Sequence, residues 1–345
     1  MRRGLALAAA TIAAALVIAN ACSLVTSYDG FGGAAVCGDQ IPGKPGIAAA
    51  ASPNDSVAYT GGLSQIDFLG EDASTPLGYD LDGLCTCHPD KAACRNPQGA
   101  NQPCDPAGSG RDNAGGLFLA KVFQGAPSEP LDFGVAARLS QYNGAPDDSS
   151  VVVELYNIVG VTTDAGSTPT VTLDNTTIDI VETLRSHYIS TDAYVAGGVL
   201  VARFNTFKFR VRAVNPLLDG GSFATVDTPL TAPVLIGKVR VTTDNGLQLT
   251  NAQLVGRIAL ADLFDAVDHY GICQDSGPAF QQTRESICNS VDVPSKPVDD
   301  GKDTPCDAIS IAIGIKMVPV RFSPATGDPA SLSTPCGAEA AGSCN

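Results

Sequence analysis

Eleven cysteines are spread unevenly over 345 residues, and their placement restricts the fold more than any other feature of the sequence. Cys22 ends an apolar leader. Five more lie before residue 110 (Cys37, Cys85, Cys87, Cys94, Cys104) and five after residue 270 (Cys273, Cys288, Cys306, Cys336, Cys344). With Cys22 set aside, each group is odd. Complete pairing then requires at least one bridge between the two ends of the chain. Cys37 with Cys336 or Cys344 is the expected bridge. It would close a loop of about 300 residues and contribute about 4–5 kcal/mol through loop-closure entropy.

The N-terminus supplies the reason for setting Cys22 aside. Met1-Arg2-Arg3 precedes an apolar run from Gly4 to Ala19, and Ala19-Asn20-Ala21-Cys22 closes it. A basic start, a short apolar stretch and a small-residue exit make a secretory signal over residues 1–21. The run is shorter than the roughly 20 residues a helix needs to cross a bilayer. A small residue before Cys also resembles a bacterial lipobox, where the thiol is acylated and the Cys becomes the new N-terminus. Ala19 stands where Leu is usual. Lipidation at Cys22 leaves an even number of thiols for an oxidising compartment, whereas plain secretion leaves one over. The expectation is a cell-envelope lipoprotein, periplasmic or on the outer surface, joined to a membrane by its N-terminal lipid. Secretion is the alternative.

Cleavage removes Arg2 and Arg3 and takes the net charge from -15 to -17. Such a surface repels phosphate backbones, which argues against a nucleic-acid partner. Residues 22–60 are rich in Gly, Ala, Ser and Pro. Gly30-Phe31-Gly32-Gly33 and Ile41-Pro42-Gly43-Lys44-Pro45-Gly46 read as a flexible, lipid-anchored tether. Residues 61–345 then form one domain.

Short apolar runs recur through that domain, at 63–69, 116–122, 135–142, 151–157, 170–173, 178–181, 195–204, 206–214, 234–242 and 247–255. Asn143-Gly144 and Asn245-Gly246 are turn dipeptides at strand ends. With 36 Gly and 23 Pro, the pattern predicts an all-β, antiparallel two-sheet β-sandwich of jelly-roll type. Residues 259–307 interrupt it as a small helical, Cys-containing insertion. Leu260, Leu263, Phe264, Val267 and Tyr270 recur at helical spacing, which predicts an amphipathic helix over 259–270. A second helix is expected over 278–286, opening on Pro278, with Cys273 and Cys288 just outside it. Ile309, Ile311, Ile313, Ile315 and Met317 alternate with small residues and Lys316, which predicts a strand with one bulky and one small face.

Several motifs together resemble those of a group of uncharacterised predicted lipoproteins of myxobacteria. They are Ala21-Cys22-Ser23-Leu24, Gly78-Tyr79-Asp80-Leu81-Asp82-Gly83 leading into Cys85-Thr86-Cys87, Gly110-Arg111-Asp112-Asn113, Val255-Gly256-Arg257 and Cys306-Asp307-Ala308-Ile309-Ser310. The resemblance implies a cell-envelope location. It implies no activity, and no functional residues come with it.

Two constellations are candidates for binding. The Cys- and Asp-rich loop over 78–116 offers Asp80, Asp82, Asp90, Asp105, Asp112 and Asn113 as hard oxygen ligands for calcium. Asp-x-Asp-Gly brings alternate carboxylates to one point of a tight turn. An EF-hand would need Asp where Gly78 stands and Glu where Pro89 stands, so that pattern fails. The competing reading is a disulfide-stapled loop whose Asp and Asn form turns. Cys85, Cys87, His88, Cys94 and Cys104 would suit zinc, but an exported chain oxidises such thiols. The single residue between Cys85 and Cys87 excludes a c-type haem site.

The second constellation is basic. Lys208, Arg210 and Arg212 alternate with Phe207, Phe209 and Val211, while Lys238 and Arg240 alternate with Val239 and Val241. On neighbouring strands these five cations would form a patch suited to an anionic polysaccharide. The competing reading is a sheet surface balanced by cross-strand carboxylates.

Catalytic motifs are missing. Three histidines are available, His88, His187 and His269. The sequence contains no Gly-x-Ser-x-Gly, His-Glu-x-x-His or phosphate-cradling Gly loop. Asp147-Asp148 and Asp299-Asp300 are adjacent pairs, which point apart in an extended chain. The expected role is therefore non-catalytic: an envelope lipoprotein binding an anionic glycan. A structural scaffold and a polysaccharide-active enzyme are the alternatives.

Overall fold

The computed structural model describes residues 40–46, 57–67, 77–85, 93–95, 110–116, 134–164, 166–214, 223–324, 336 and 342–344. Along them run β1 (Ala58–Asp67), β2 (Gly134–Ser140), β3 (Asp148–Thr162), β4 (Thr170–Leu173), β5 (Ile178–Ile180), β6 (Arg185–Ser186), β7 (Tyr188–Ala196), β8 (Val199–Arg203), β9 (Thr206–Val214), β10 (Phe223–Val241), β11 (Leu247–Ala259), β12 (Ala308–Pro319) and β13 (Arg321–Pro324). Two α-helices, α1 (Leu260–Tyr270) and α2 (Pro278–Asn289), separate β11 from β12.

The chain is all-β in its body and largely antiparallel, but it is a barrel and not a two-sheet sandwich. Eight strands follow one another as β3-β2-β1-β12-β11-β10-β8-β7, and β7 pairs back onto β3. Every pairing in that ring is antiparallel. Closure leaves no free edge in the ring, where a sandwich would leave four.

Two long strands explain the departure. The first part of β3 pairs with β7 inside the ring, and its last residues pair with β4 outside it. The second half of β10 lies in the ring between β11 and β8, while its first half pairs with β9. β10 bends between Thr231 and Val234, where the register shifts and Ala232 takes φ 48°. Each long strand is thus shared between the barrel and a side flap, β4 with β13 on one and β9 on the other.

Alternation fills the barrel. Leu63, Val135, Leu139, Val153, Leu155, Val195, Leu200, Leu235, Leu254, Ile311 and Ile313 belong to one buried cluster contributed by all eight ring strands. An eight-stranded ring is just wide enough for side chains to occupy its interior. The outer wall is covered too. Tyr156, Ile158, Val171, Leu173 and Val320 form one external layer. Tyr194, Val201, Ile236, Val255 and Ala312 form another, against which Ile41, Leu77, Tyr79 and Leu81 pack. The small face of β12 is therefore buried as well as its bulky one. Its small residues let the 77–85 and 110–116 segments lie close, and a Cβ at Gly115 would meet the Ser310 carbonyl at 2.9 Å.

The run expected as one strand over 195–204 is a hairpin. Gly197 and Gly198 take φ 56° and 79° between β7 and β8, which glycine alone adopts freely in succession. The helix expected over 259–270 is α1, with Leu263, Phe264 and Val267 buried and Gly271 ending it in the left-handed region. α2 runs to Asn289, so Cys288 lies inside it.

The Cys37 bridge expected with Cys336 or Cys344 does not form, because both partners are taken. Cys336 pairs with Cys273 and Cys344 with Cys288, which fastens the C-terminal segment to the helices. Cys94–Cys306 joins the front group to the back group across 212 residues of sequence. Cys85 is also disulfide-bonded. Cys22, Cys37, Cys87 and Cys104 lie outside the described residues, as do residues 117–122 of the run expected over 116–122.

Candidate functional site

The cations whose side chains are described do not form one exposed patch. Lys208 is exposed on β9 opposite Pro229, and Lys238 is exposed nine residues further along β10 opposite Thr250. At about 3.3 Å per residue, some 30 Å of bent strand separates the two positions. Arg240 is exposed near Lys238. Arg212 pairs with Thr225 in register, and its side chain lies outside the description.

Arg210 is buried, with 6% of its surface exposed. Its Nε and Nη2 donate to the two Asp227 oxygens at 2.6 and 2.9 Å, and its Nη1 donates to Asp174. Asp227 lies directly across on β10, so the cross-strand carboxylate balances this cation. Asn157 of β3 accepts from the Arg210 backbone N–H and donates to the Lys208 carbonyl. The site is an internal ion cluster that pins the β9 flap to the barrel. An anion from solution would have to displace two buried carboxylates to reach Arg210.

The acidic loop is more closely assembled. Oxygens of Asp80, Asp82 and Asp112 lie within 4.8 Å of one another, and they are the sole such group of possible metal ligands among the described residues. Each carboxylate also holds backbone. Asp80 Oδ1 accepts from Gly83 N at 2.6 Å, and Asp82 Oδ1 accepts from Leu84 N at 2.7 Å. Asp112 Oδ2 accepts from Leu81 N at 2.6 Å. The Asp80 and Asp82 bonds close turns, the structural use of Asp in a tight loop, and the Asp112 bond ties the 110–116 segment to 77–85. Burial pushes the Asp80 carboxyl above its ordinary value, against the pull of Gln40 and the Gly83 N–H.

Asn113 is not part of that group. Its Oδ1 accepts from Ala312 N at 2.8 Å and its Nδ2 donates to the Leu77 carbonyl, which fixes the loop to β12. Asp90 and Asp105 lie outside the described residues.

Sequence reasoning missed the group that seals this region. Arg257, on β11, is 2% exposed. It donates from Nη1 and Nη2 to both Asp300 oxygens at 2.6 and 2.7 Å, to the Pro294 carbonyl at 2.9 Å and to the Leu81 carbonyl at 3.1 Å. One guanidinium therefore ties the acidic loop to the segment that follows α2. A lone cation inside the apolar run Leu254-Val255-Gly256-Arg257-Ile258-Ala259 was the available signal, since a buried Arg needs a carboxylate. Ser310 donates to Asp292 from both its backbone and its hydroxyl, and receives Ala114 N at its Oγ. Cys94–Cys306 completes the seal, flanked by Arg95 N to Thr304 O and Cys306 N to Arg95 O, each 2.8 Å.

The adjacent acid pairs diverge. Asp300 serves Arg257 and Asp299 serves Lys302. Asp148 accepts from Asn143 N and Ser150 N, while Asp147 accepts from Gly197 N. His187 lies 3.8 Å from Asp179 on the surface, and His269 lies 3.5 Å from Asp265 one turn away on α1. His88 is outside the described residues.

No protein-family model matches the chain, and neither a curated protein nor a solved structure is significantly similar to it.

Proposed function

We propose that this chain is an exported cell-envelope lipoprotein, cleaved before Cys22 and acylated there, whose barrel serves as a non-catalytic scaffold. The observation that carries the reading is the disulfide set Cys94–Cys306, Cys273–Cys336 and Cys288–Cys344. Thiols that persist as disulfides belong to an oxidising, non-cytoplasmic compartment. A signal over residues 1–21 that ends in Ala21-Cys22 supplies the route to it.

The scaffold role rests on how the side chains are spent. The barrel interior is filled with apolar groups, and both external layers are covered. The buried charges Arg210, Asp174, Asp227, Arg257 and Asp300 are committed to one another. With Arg210 internal, the anionic-glycan reading loses the centre of its patch. The motifs that resemble those of the myxobacterial lipoproteins fit the same assignment: Gly78 to Gly83, Gly110 to Asn113, Arg257 and Cys306 to Ser310 all meet at the junction over β11 and β12.

Export in a Gram-negative host tests the proposal. The native chain should sediment with membranes and be released by detergent. Cys22→Ala, cleaved or not, should lose its acyl chains and appear in the soluble envelope fraction if cleaved by ordinary signal peptidase. A Cys22→Ala chain that is cleaved and still sediments with membranes would overturn anchoring through Cys22.

A further inference from the structure

The segment read as part of a free tether is seated on the barrel. Residues 40–46 cross the outer wall over β7 and the acidic loop, and each of four positions meets a distinct partner. The Gln40 side-chain amide donates to Asp80 Oδ2. Ile41 packs on the apolar layer formed by Tyr194, Val201, Ile236, Val255 and Ala312. The Pro42 carbonyl accepts from the Tyr194 hydroxyl. Lys44 Nζ donates to Asp192 Oδ1 at 2.6 Å.

The receiving wall is organised around those contacts. Asp192 and Tyr194 are two residues apart on β7 and so face the same way. Arg203 of β8 stands over the Tyr194 ring, 5.9 Å from its centroid, and donates to the Tyr194 oxygen at 3.2 Å. That bond holds the phenol where it meets the Pro42 carbonyl. A tyrosine that grips a carbonyl of an extended, proline-bearing segment is a general means of peptide recognition, because proline lowers the entropy lost on docking.

The attachment is of a kind that lifts easily. Residues 40–46 join no strand ladder. The Lys44–Asp192 pair is solvent-exposed, with 45% and 83% of the two side chains accessible. Exposed ion pairs and part-buried single residues belong to the low end of local stability, unlike the disulfide-sealed loop beside them.

We propose that this wall is a peptide-recognition groove, occupied in cis by residues 40–46. Its ligand class is an extended segment with an apolar residue, a following proline and a cation three positions after the apolar one. The chain's own segment is the resident ligand, and a free peptide of the same chemistry competes with it for the wall. The groove goes beyond the scaffold reading, and its test does not depend on acylation.

The test uses the oxidised chain from residue 23 onward and a fluorescent peptide of sequence Gln-Ile-Pro-Gly-Lys-Pro-Gly. In the native chain the resident segment competes at an effective concentration of the order of millimolar. Ile41→Ser with Lys44→Ala should weaken that competition and tighten peptide binding at least tenfold. Adding Tyr194→Phe and Asp192→Asn should abolish the gain. A peptide in which Lys is replaced by Ala should bind the released chain about two- to fivefold more weakly. Lys44→Ala alone, with an exposed side chain, should give a smaller gain of about two- to fivefold and serves should the double substitution lower the melting temperature. Equal binding to native and released chains, or no saturable binding to a released chain that melts like the native one, would overturn the proposal.

Discussion

Replacing Cys94 and Cys306 together with Ala removes a covalent link between the two ends of the domain without leaving a free thiol. The closed loop spans 212 residues. Loop-closure entropy assigns such a link about 5 kcal/mol, exerted on the unfolded chain. The bridges that hold the helices span 63 and 56 residues, for which the same relation gives about 4 kcal/mol each. Unfolding entropy of about 2.1 cal/mol/K per residue, taken over residues 37–345, comes to about 0.6 kcal/mol/K. Loss of the long bridge should therefore lower Tm by about 8 °C, and loss of Cys288–Cys344 by about 7 °C. Calorimetry of the two double-Ala variants and the native chain, without reductant and at one scan rate, reads both. A fall of under about 3 °C for the Cys94/Cys306 variant would refute the reasoning. It would mean that the unfolded chain already keeps its ends together, for instance through residual β1–β12 contacts.

Three other outcomes follow from the same contacts. Arg257→Met should strand Asp300 beside apolar wall and cost about 3–5 kcal/mol by denaturant titration, while Arg257→Met with Asp300→Leu should recover much of it. The folded-state pKa of Asp80 is raised, so the folded chain holds its proton more tightly than the unfolded one; stability is gained as pH falls below that raised value and is fully present below the ordinary 3.8. Melting between pH 4 and 7 should show this slope in the native chain and a weaker one in Asp80→Asn; an unchanged slope would contradict the assignment. Excess calcium should leave Tm within about 1 °C of its EDTA value, because the carboxylates of Asp80, Asp82 and Asp112 each already accept a backbone N–H. A rise of a few degrees, the effect of a ligand at about 100 times its dissociation constant, would make those carboxylates metal ligands.

Local patterning carried much of the fold. Period-2 runs located β3, β9, β11 and β12, and 3.6-residue spacing located α1, because one buried face leaves a direct imprint on sequence. Odd cysteine counts required a link between the chain's ends, and Cys94–Cys306 is one. Closure was not legible. It depends on Val151 to Leu155 meeting Tyr188 to Ala193 across the barrel, a pairing that neither strand records in its own alternation. Arg210 shows the limit most clearly. Its alternation with Phe207 and Phe209 marks a second face but not what covers that face, and Asp174 arrives from a distant turn. The 40–46 segment has no periodicity at all, and its seating is set by Tyr194 and Asp192, some 150 residues away.

The intact mass of the protein purified from envelope membranes tests the central claim most directly. The account predicts a chain beginning at Cys22, heavier than residues 22–345 by covalently attached acyl groups that map to the N-terminal peptide. A chain that begins at Cys22 without added mass, or one that retains Met1 and the leader, would contradict it.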